Sequence, residues 1–347
     1  MENRSAMNIT TLGGYQLTPE SVTVPILFLI IFILGLIGNA TLLYIVVRHQ
    51  DMRNTPNWYL VNLAIGDLLL ICTYVPFAAT IYTVHSWPFG ESICKLGNFM
   101  RVLSVSVSVL TLAWLSEERY ATAVQSNTYK IINSTKMTIG KILSVWLIAV
   151  IFGILNAISA NIQDYTTNDG VNVSFCLPFQ DSWGEGYASA YTIVSFLILF
   201  ALPLIVIALF YIRLAYFIAT KYKRTLDIQE LQGQYMDIGS SDEAEHKLKH
   251  DEHTTNENQR FAFVEEGTSP WLILCLVILF VMCWLPRHIY LLWFYLDPSP
   301  YNIYWHGFKI AGFCLMFLNS CVNPCALCLL DSRWRKYFKQ HLCCIRG

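Results

Sequence analysis

Leu60-Val-Asn-Leu-Ala-Ile-Gly-Asp67-Leu-Leu-Leu-Ile-Cys72 is the stretch that decides how the chain is read. It is apolar enough to belong to a lipid-crossing helix, yet it holds a carboxylate in its middle. An acid near mid-bilayer costs about 3 kcal/mol on insertion scales, so one found there is a functional candidate by default. The misfit recurs: the other long apolar runs also hold a few polar or aromatic residues that a plain lipid anchor would lack.

Of 347 residues, 55% are hydrophobic and 14% charged, a balance too apolar for an ordinary soluble domain. Counting runs of about 20 residues, the length that crosses a bilayer, gives spans near 24–47, 57–83, 95–122, 138–160, 187–219, 269–294 and 304–329. The expected fold is all-α: a seven-transmembrane helix bundle over 23–330, preceded by an extracellular tail, 1–22. A short amphipathic cytosolic helix with the C-terminal tail follows at 331–347. The only long polar stretch, about 225–266, reads as a mobile cytosolic loop. Its His246, His250 and His253 fit a solvated charged segment better than a metal site.

Orientation comes from the basic residues. Arg48, Arg53, Lys130, Lys136, Lys141, Lys221, Lys223, Arg224, Arg333, Arg335, Lys336 and Lys339 fall on one alternating set of loops, which the positive-inside rule makes cytosolic. Asp164, Asp169, Asp181, Glu185 and Asp297 occupy the opposite loops, so the amino terminus is expected outside. The net charge of −1 is a sum over two faces and gives no reason to expect a nucleic-acid partner. Residues 1–20 lack an apolar core with a small-residue cleavage site, so the first span is expected to serve as an uncleaved signal anchor. Asn3, Asn8 and Asn172 head glycosylation sequons on the outer side, in agreement with that topology. The sequons at Asn39 and Asn133 lie in a span and on the cytosolic side and read as chance matches.

Among eleven cysteines, only Cys94 and Cys176 lie where oxidation is permitted. One disulfide between them is expected, the alternative being two free thiols. Cys72, Cys275, Cys283, Cys314, Cys321, Cys325 and Cys328 sit in apolar spans as small packing residues. Cys343 and Cys344 follow the basic amphipathic segment 331–341 and read as palmitoylation sites that hold it to membrane lipid. Pro76, Pro203, Pro286 and Pro324 fall inside four spans, where each removes a backbone hydrogen bond and can kink its helix.

At the inner end of the third span stands Leu115-Ser-Glu117-Glu118-Arg119-Tyr120. An arginine beside a carboxylate at a membrane boundary can be paired in one helix packing and released in another; two snorkelling charges are the plainer reading. The sixth span carries Cys283-Trp284-Leu285-Pro286 and the seventh Asn319-Ser-Cys-Val-Asn323-Pro324. With Gly38-Asn39 and Leu63-Ala-Ile-Gly-Asp67, these motifs stand in the order and at the depth found in rhodopsin-like G-protein-coupled receptors, which the chain resembles from about 22 to 344. Trp87-Pro-Phe-Gly90, Ser106-Val-Ser-Val-Leu-Thr111 and Asn319-Ser-Cys-Val-Asn-Pro-Cys-Ala-Leu327 look like the bombesin-type neuropeptide receptors, nearest the invertebrate CCHamide-type branch. Three positions depart from the wider family's pattern: Glu118 replaces an aspartate, Leu327 a tyrosine, and Asn156 stands near a missing proline of the fourth helix. The Leu327 change is shared by bombesin-type receptors.

The resemblance implies a plasma-membrane receptor that catalyses nothing, binds an extracellular neuropeptide and signals to a heterotrimeric G protein of the Gq class. Arrestin and a receptor kinase follow as further partners. Glu118, Arg119, Tyr120, Trp284, Pro286, Asn323 and Pro324 are the implied activation switch. Where amine receptors of the family keep an aspartate the chain has Arg101, and where retinal proteins keep a lysine it has Phe317. Arg101, Arg287 and His288 favour an oxygen-rich ligand, or else the arginines pair with backbone and loop acids. Tyr191, Phe294 and Phe313 are further candidate contacts, the last two standing where bombesin receptors carry basic residues. Asp67, Ser108, Asn319 and Asn323 are expected to hold either a sodium ion or a metal-free polar knot. No other cofactor is required. A transporter or proton pump using Asp67 and the buried arginines is the rival reading, against which the chain shows no internal repeat. No Glu-x-x-His, Gly-x-Ser-x-Gly or paired acid set suggests an enzyme.

Overall fold

The computed structural model of the protein describes residues 10–12, 15–17, 19–124, 135–166, 170, 172–180, 183–184, 186–238, 270–297, 299 and 302–342. Seven helices are long and apolar enough to cross a membrane. They are α1 (Pro19–Arg48), α2 (Thr55–Thr83), α3 (Gly90–Val124), α4 (Thr135–Ser159), α5 (from Tyr187), α6 (Pro270–Leu296) and α7 (Ile303–Leu330). An eighth, α8 (Ser332–Leu342), follows at once. The expected seven-helix bundle with a short amphipathic helix is therefore what the chain forms.

Local chemistry sets the helix ends. Asn54 precedes α2 and accepts a hydrogen bond from the Asn57 amide at 3.0 Å, with Pro56 in the first turn; Asn302 does the same for Trp305 at the start of α7. Both satisfy donors that a helix start leaves open. Asp331 Oδ1 accepts from the amides of Arg333 and Trp334, which turns the chain sharply from α7 into α8. There Trp334 and Phe338 are buried, and their four-residue spacing gives α8 one apolar face.

Two of the intrahelical prolines act through π turns. In α2 the wider turn covers Leu70–Tyr74, just before Pro76. In α5 it covers Leu197–Ala201, just before Pro203. A proline ring collides with the carbonyl four residues back, and a turn with one extra residue moves that carbonyl aside.

Packing follows the apolar pattern. In the most apolar stretch of α3, 67% of residues are buried, against 17% in α1; α3 is the central strut and α1 lies outside. Leu29 and Leu34 of α1, Leu143 and Leu147 of α4, and Ile205 and Ile212 of α5 all face outward. Such a belt of exposed apolar side chains suits lipid and not water. Polar side chains pin the interior: Asn62 of α2 donates to Thr111 of α3 at 2.7 Å and accepts from the Trp146 indole of α4 at 2.8 Å. Asn39 of α1 donates to the Ser320 carbonyl of α7 at 2.7 Å.

Outside the bundle the chain adds two antiparallel hairpins: β1 (Thr10–Leu12) with β2 (Tyr15–Leu17), and β3 (Asn161–Thr166) with β4 (Asn172–Leu177). In the second, Ile162 pairs with Cys176 and Thr166 with Asn172. Cys176 is joined to Cys94 near the outer end of α3. Backbone and hydroxyl bonds from the α2–α3 loop, Trp87 N to Ser174 O and Ser174 N to Ser86 Oγ, both 2.9 Å, fix the hairpin's other edge.

Three expected boundaries are corrected. The region 1–22 is not a tail throughout: β1 and β2 lie in it and α1 begins at Pro19, because Ser21, Val22, Thr23 and Val24 continue the helix before the strongly apolar run. The polar composition from 225 does not end α5, whose backbone runs helically to Ile238. The hairpin β3–β4 stands where no regular structure was expected, its strands being too short and mixed to signal themselves. The rest of the 225–266 stretch, including the three histidines, lies outside the described residues.

Candidate functional site

Three groups of polar residues occupy the bundle: at its mouth on the side of the β3–β4 hairpin, at its centre and at the end that carries α8. At the mouth, α3 contributes Arg101, α6 contributes Arg287 and His288, and α5 contributes Tyr191. Arg101 and Arg287 are half-buried and close enough to repel each other, and the Tyr191 hydroxyl lies within hydrogen-bond reach of Arg101. Tyr191 also donates to Asn156 Oδ1 of α4. The Arg287 guanidinium stands 4.2 Å from the centre of the Phe313 ring on α7, a cation–π contact. No ion pair joins either arginine to a carboxylate among the described residues. Phe294, 45% exposed, lies higher on α6, stacked on Tyr290, so it belongs to the rim and not to the depth of the cavity.

Lys309 of α7 is a member that sequence reasoning missed. It is half-buried and its charge interacts with Arg287 and Glu20; it stands in the second turn of α7, near a helix start where a lysine ordinarily snorkels. Glu20 itself bonds His306 at 2.7 Å, which ties the start of α1 to α7. Below the arginines, His288 packs against Phe200 at 4.7 Å and Phe196 at 5.6 Å. Its Nε2 and the indole nitrogen of Trp284 are buried without a hydrogen-bond partner among the described residues. Buried polar atoms of this kind await a partner.

At the centre, Asp67 is 1% exposed. One oxygen accepts from Ser320 Oγ at 3.1 Å and the other from Asn323 Nδ2 at 2.7 Å. The expected partner Asn323 is therefore there, whereas Ser320, not singled out in the sequence, supplies the second bond. Asn319 and Ser108 are buried in the same core, and Ser108 lies beside the helix-two backbone at Gly66. Asn39 Oδ1 is an orphaned buried acceptor one residue-link away, through Ser320. One carboxylate, two serine hydroxyls and amide oxygens form a donor set that suits a hard cation.

At the end that carries α8, Glu118 and Arg119 are buried, and Arg119 Nε and Nη2 make no hydrogen bond among the described residues. Tyr211 of α5 and Asp331 and Arg333 beyond α7 lie within its electrostatic reach. Tyr120, half-buried, packs 6.0 Å from Phe210. Trp284 continues a stack through Phe280, at 5.9 Å, to Phe200. The Pro324 ring sits against α1 where Gly38 leaves room; a Cβ there would come within 2.7 Å of Pro324 Cγ. Leu327 is fully buried. Of the modification candidates, Asn172 is exposed on β4, while Asn3, Asn8, Cys343 and Cys344 lie outside the described residues.

The model of the seven-transmembrane receptor (rhodopsin) family matches residues 38–326. The chain belongs to that family. It is a multi-pass membrane protein, and its family is one of receptors and not of enzymes. It is 35% identical over 338 residues to the neuropeptide CCHamide-1 receptor of Drosophila melanogaster, covering 95% of this chain and 62% of that receptor. It thus spans about three fifths of that relative's length. It is 32% identical over 330 residues to bombesin receptor subtype-3 of Ovis aries, covering 93% of this chain and 75% of that one. The expected bombesin-type and CCHamide-type resemblances are both borne out.

Proposed function

We propose that the protein is a plasma-membrane receptor, its amino terminus outside the cell, which binds an extracellular neuropeptide and signals to a heterotrimeric G protein of the Gq class. The observation that carries the reading is the pair Arg101 and Arg287, two cations inside the bundle with no carboxylate pairing them among the described residues. A ligand supplying carbonyl, carboxamide or carboxylate oxygens gives them their missing acceptors, and Phe313 and Tyr191 supply aromatic walls. The printed names of both relatives, one a neuropeptide receptor and one a bombesin receptor, support the ligand class.

A ligand that fits one helix packing better shifts the population toward it. Arg287 and His288 lie on the same helix as Trp284 and Pro286, within one to four residues, so a ligand drawn onto Arg287 acts directly beside the α6 proline, where a helix bends most readily. The cytosolic end of α6 then swings away from α3 and releases Arg119 to the G protein; arrestin and a receptor kinase act on the same opened face. Asp67, Ser108, Asn319 and Asn323, with Ser320, would hold a sodium ion in the closed packing. When bound, the ion supplies positive charge beside Asp67.

Cells expressing the chain with a calcium reporter, dosed with amidated and cyclic neuropeptides, test the reading. A nanomolar response that Arg119→Ala abolishes at unchanged surface level is expected. Silence at confirmed surface expression, or a ligand-independent current, overturns it.

A further inference from the structure

Lys141 of α4 is 7% exposed and reaches into the α3 charge cluster. Its ammonium lies 2.5 Å from Glu117 Oε2, 4.0 Å from Glu118 Oε2 and 4.9 Å from the centre of the Trp114 ring. Glu118 is the neighbour of Arg119, and its side chain is only 5% exposed. One buried carboxylate therefore lies within electrostatic reach of two cations on different helices, while two of the three guanidinium nitrogens of Arg119 make no hydrogen bond among the described residues. Tyr59 of α2 faces the same acids.

We propose that Lys141 is a positioning residue that sets how readily Arg119 is released. When the bundle opens and Arg119 leaves, a buried Glu118 without a counter-charge opposes the change, because an unpaired buried charge is far costlier than a paired one. Lys141 removes that obstacle: it stays on α4, close enough to take Glu118 over. In the closed state Glu117 competes for the same ammonium and holds Lys141 partly away. The cluster is a shared-cation balance, with Glu117 favouring the closed packing and Lys141 the open one. This rests on the reading of Arg119 as the released switch residue.

Spin labels on unnatural side chains at Leu329 and Trp271, both exposed, report the cytosolic separation of α7 and α6 in the full-length protein without ligand or G protein. Lys141→Met is expected to lower the open fraction and Glu117→Gln to raise it, each on the order of fivefold, the lower end of typical coupling effects. Lys141→Arg, which keeps the charge, is expected to side with the wild type. Shifts of the same sign, or no shift in Glu117→Gln, overturn the proposal. If Lys141→Met fails to fold, Glu117→Gln and Lys141→Arg still decide it. Basal GTPγS binding to purified Gq heterotrimer with the same variants separates the two readings. Opposite label shifts without any nucleotide exchange sink the Gq assignment alone, and exchange without opposite shifts sinks the lysine balance alone.

Discussion

The outer cavity and the centre of the bundle are both polar holes in an apolar protein, but they are finished differently. Around Asp67 the hydrogen bonds of the carboxylate close within the bundle, on Ser320 and Asn323 of α7. Around Arg101 and Arg287 they do not: two cations, the Trp284 indole and His288 Nε2 are left with acceptor or donor capacity to spare. A satisfied buried network holds one arrangement, whereas an unsatisfied one gains most from an incoming partner. The centre is built to keep the helices in register and the mouth to be completed from outside.

The strongest test of that contrast removes both outer arginines. Charge-assisted hydrogen bonds contribute about 1.5–3 kcal/mol each, so Arg101→Leu with Arg287→Leu should shift the peptide dose by at least about 100-fold. The unliganded protein should melt no earlier than the wild type, because an unpaired cation has been replaced by an apolar group. A lower melting temperature would show the mouth to be as structural as the centre. Asn323→Leu should behave in the opposite sense, destabilising the unliganded protein by about 1–3 kcal/mol through a buried carboxylate stripped of a donor. A thermal melt without ligand reads it.

Sodium gives a smaller shift. Replacing choline by sodium should raise the melting temperature of the wild type and leave Asp67→Asn unmoved, by about 1 kcal/mol where the ion stands about fivefold above its dissociation constant. Equal shifts in both proteins would make the centre a metal-free knot. The smallest effect is expected at the cytosolic surface, where the Tyr337 hydroxyl of α8 donates to Asp51 at 2.6 Å. That bond holds the Asp51 carboxyl below its ordinary 3.8. A depressed carboxylate contributes above its unfolded value and loses the contribution as pH falls through the folded one. The contribution of this one bond to the docking of α8 should therefore be flat from neutral pH down to about 4 and be lost below it. Label mobility on α8 measures this, and Tyr337→Phe should remove the dependence.

Legibility in the sequence divided along the same line. The seven spans, the kink prolines and the disulfide were readable because length, composition and compartment decide them without any partner. So was the role of Asp67 as a misfit. Which neighbour Asp67 would bond was not: Ser320 and Asn319 are adjacent on a helix, differ by about 100° in direction, and only the packing of α7 against α2 chooses between them. Lys141 was read as a topology marker, since a lysine near a helix end ordinarily snorkels; its turn inward depends on acids of another helix. The start of α1 at Pro19 and the extension of α5 to Ile238 were hidden by the same fact. A hydropathy count finds the part of a helix inside lipid and not its continuation into water.

Gly312 of α7 faces the α6 backbone: a Cβ there would come within 3.3 Å of Arg287 Cα, so the two main chains approach closely at the level of the Arg287 mouth. Main chain does not change rotamer. The spacing between Arg287 on α6 and Asn323-Pro324 farther down α7 is thus gauged by main chain, and movement of one helix here presses directly on the other.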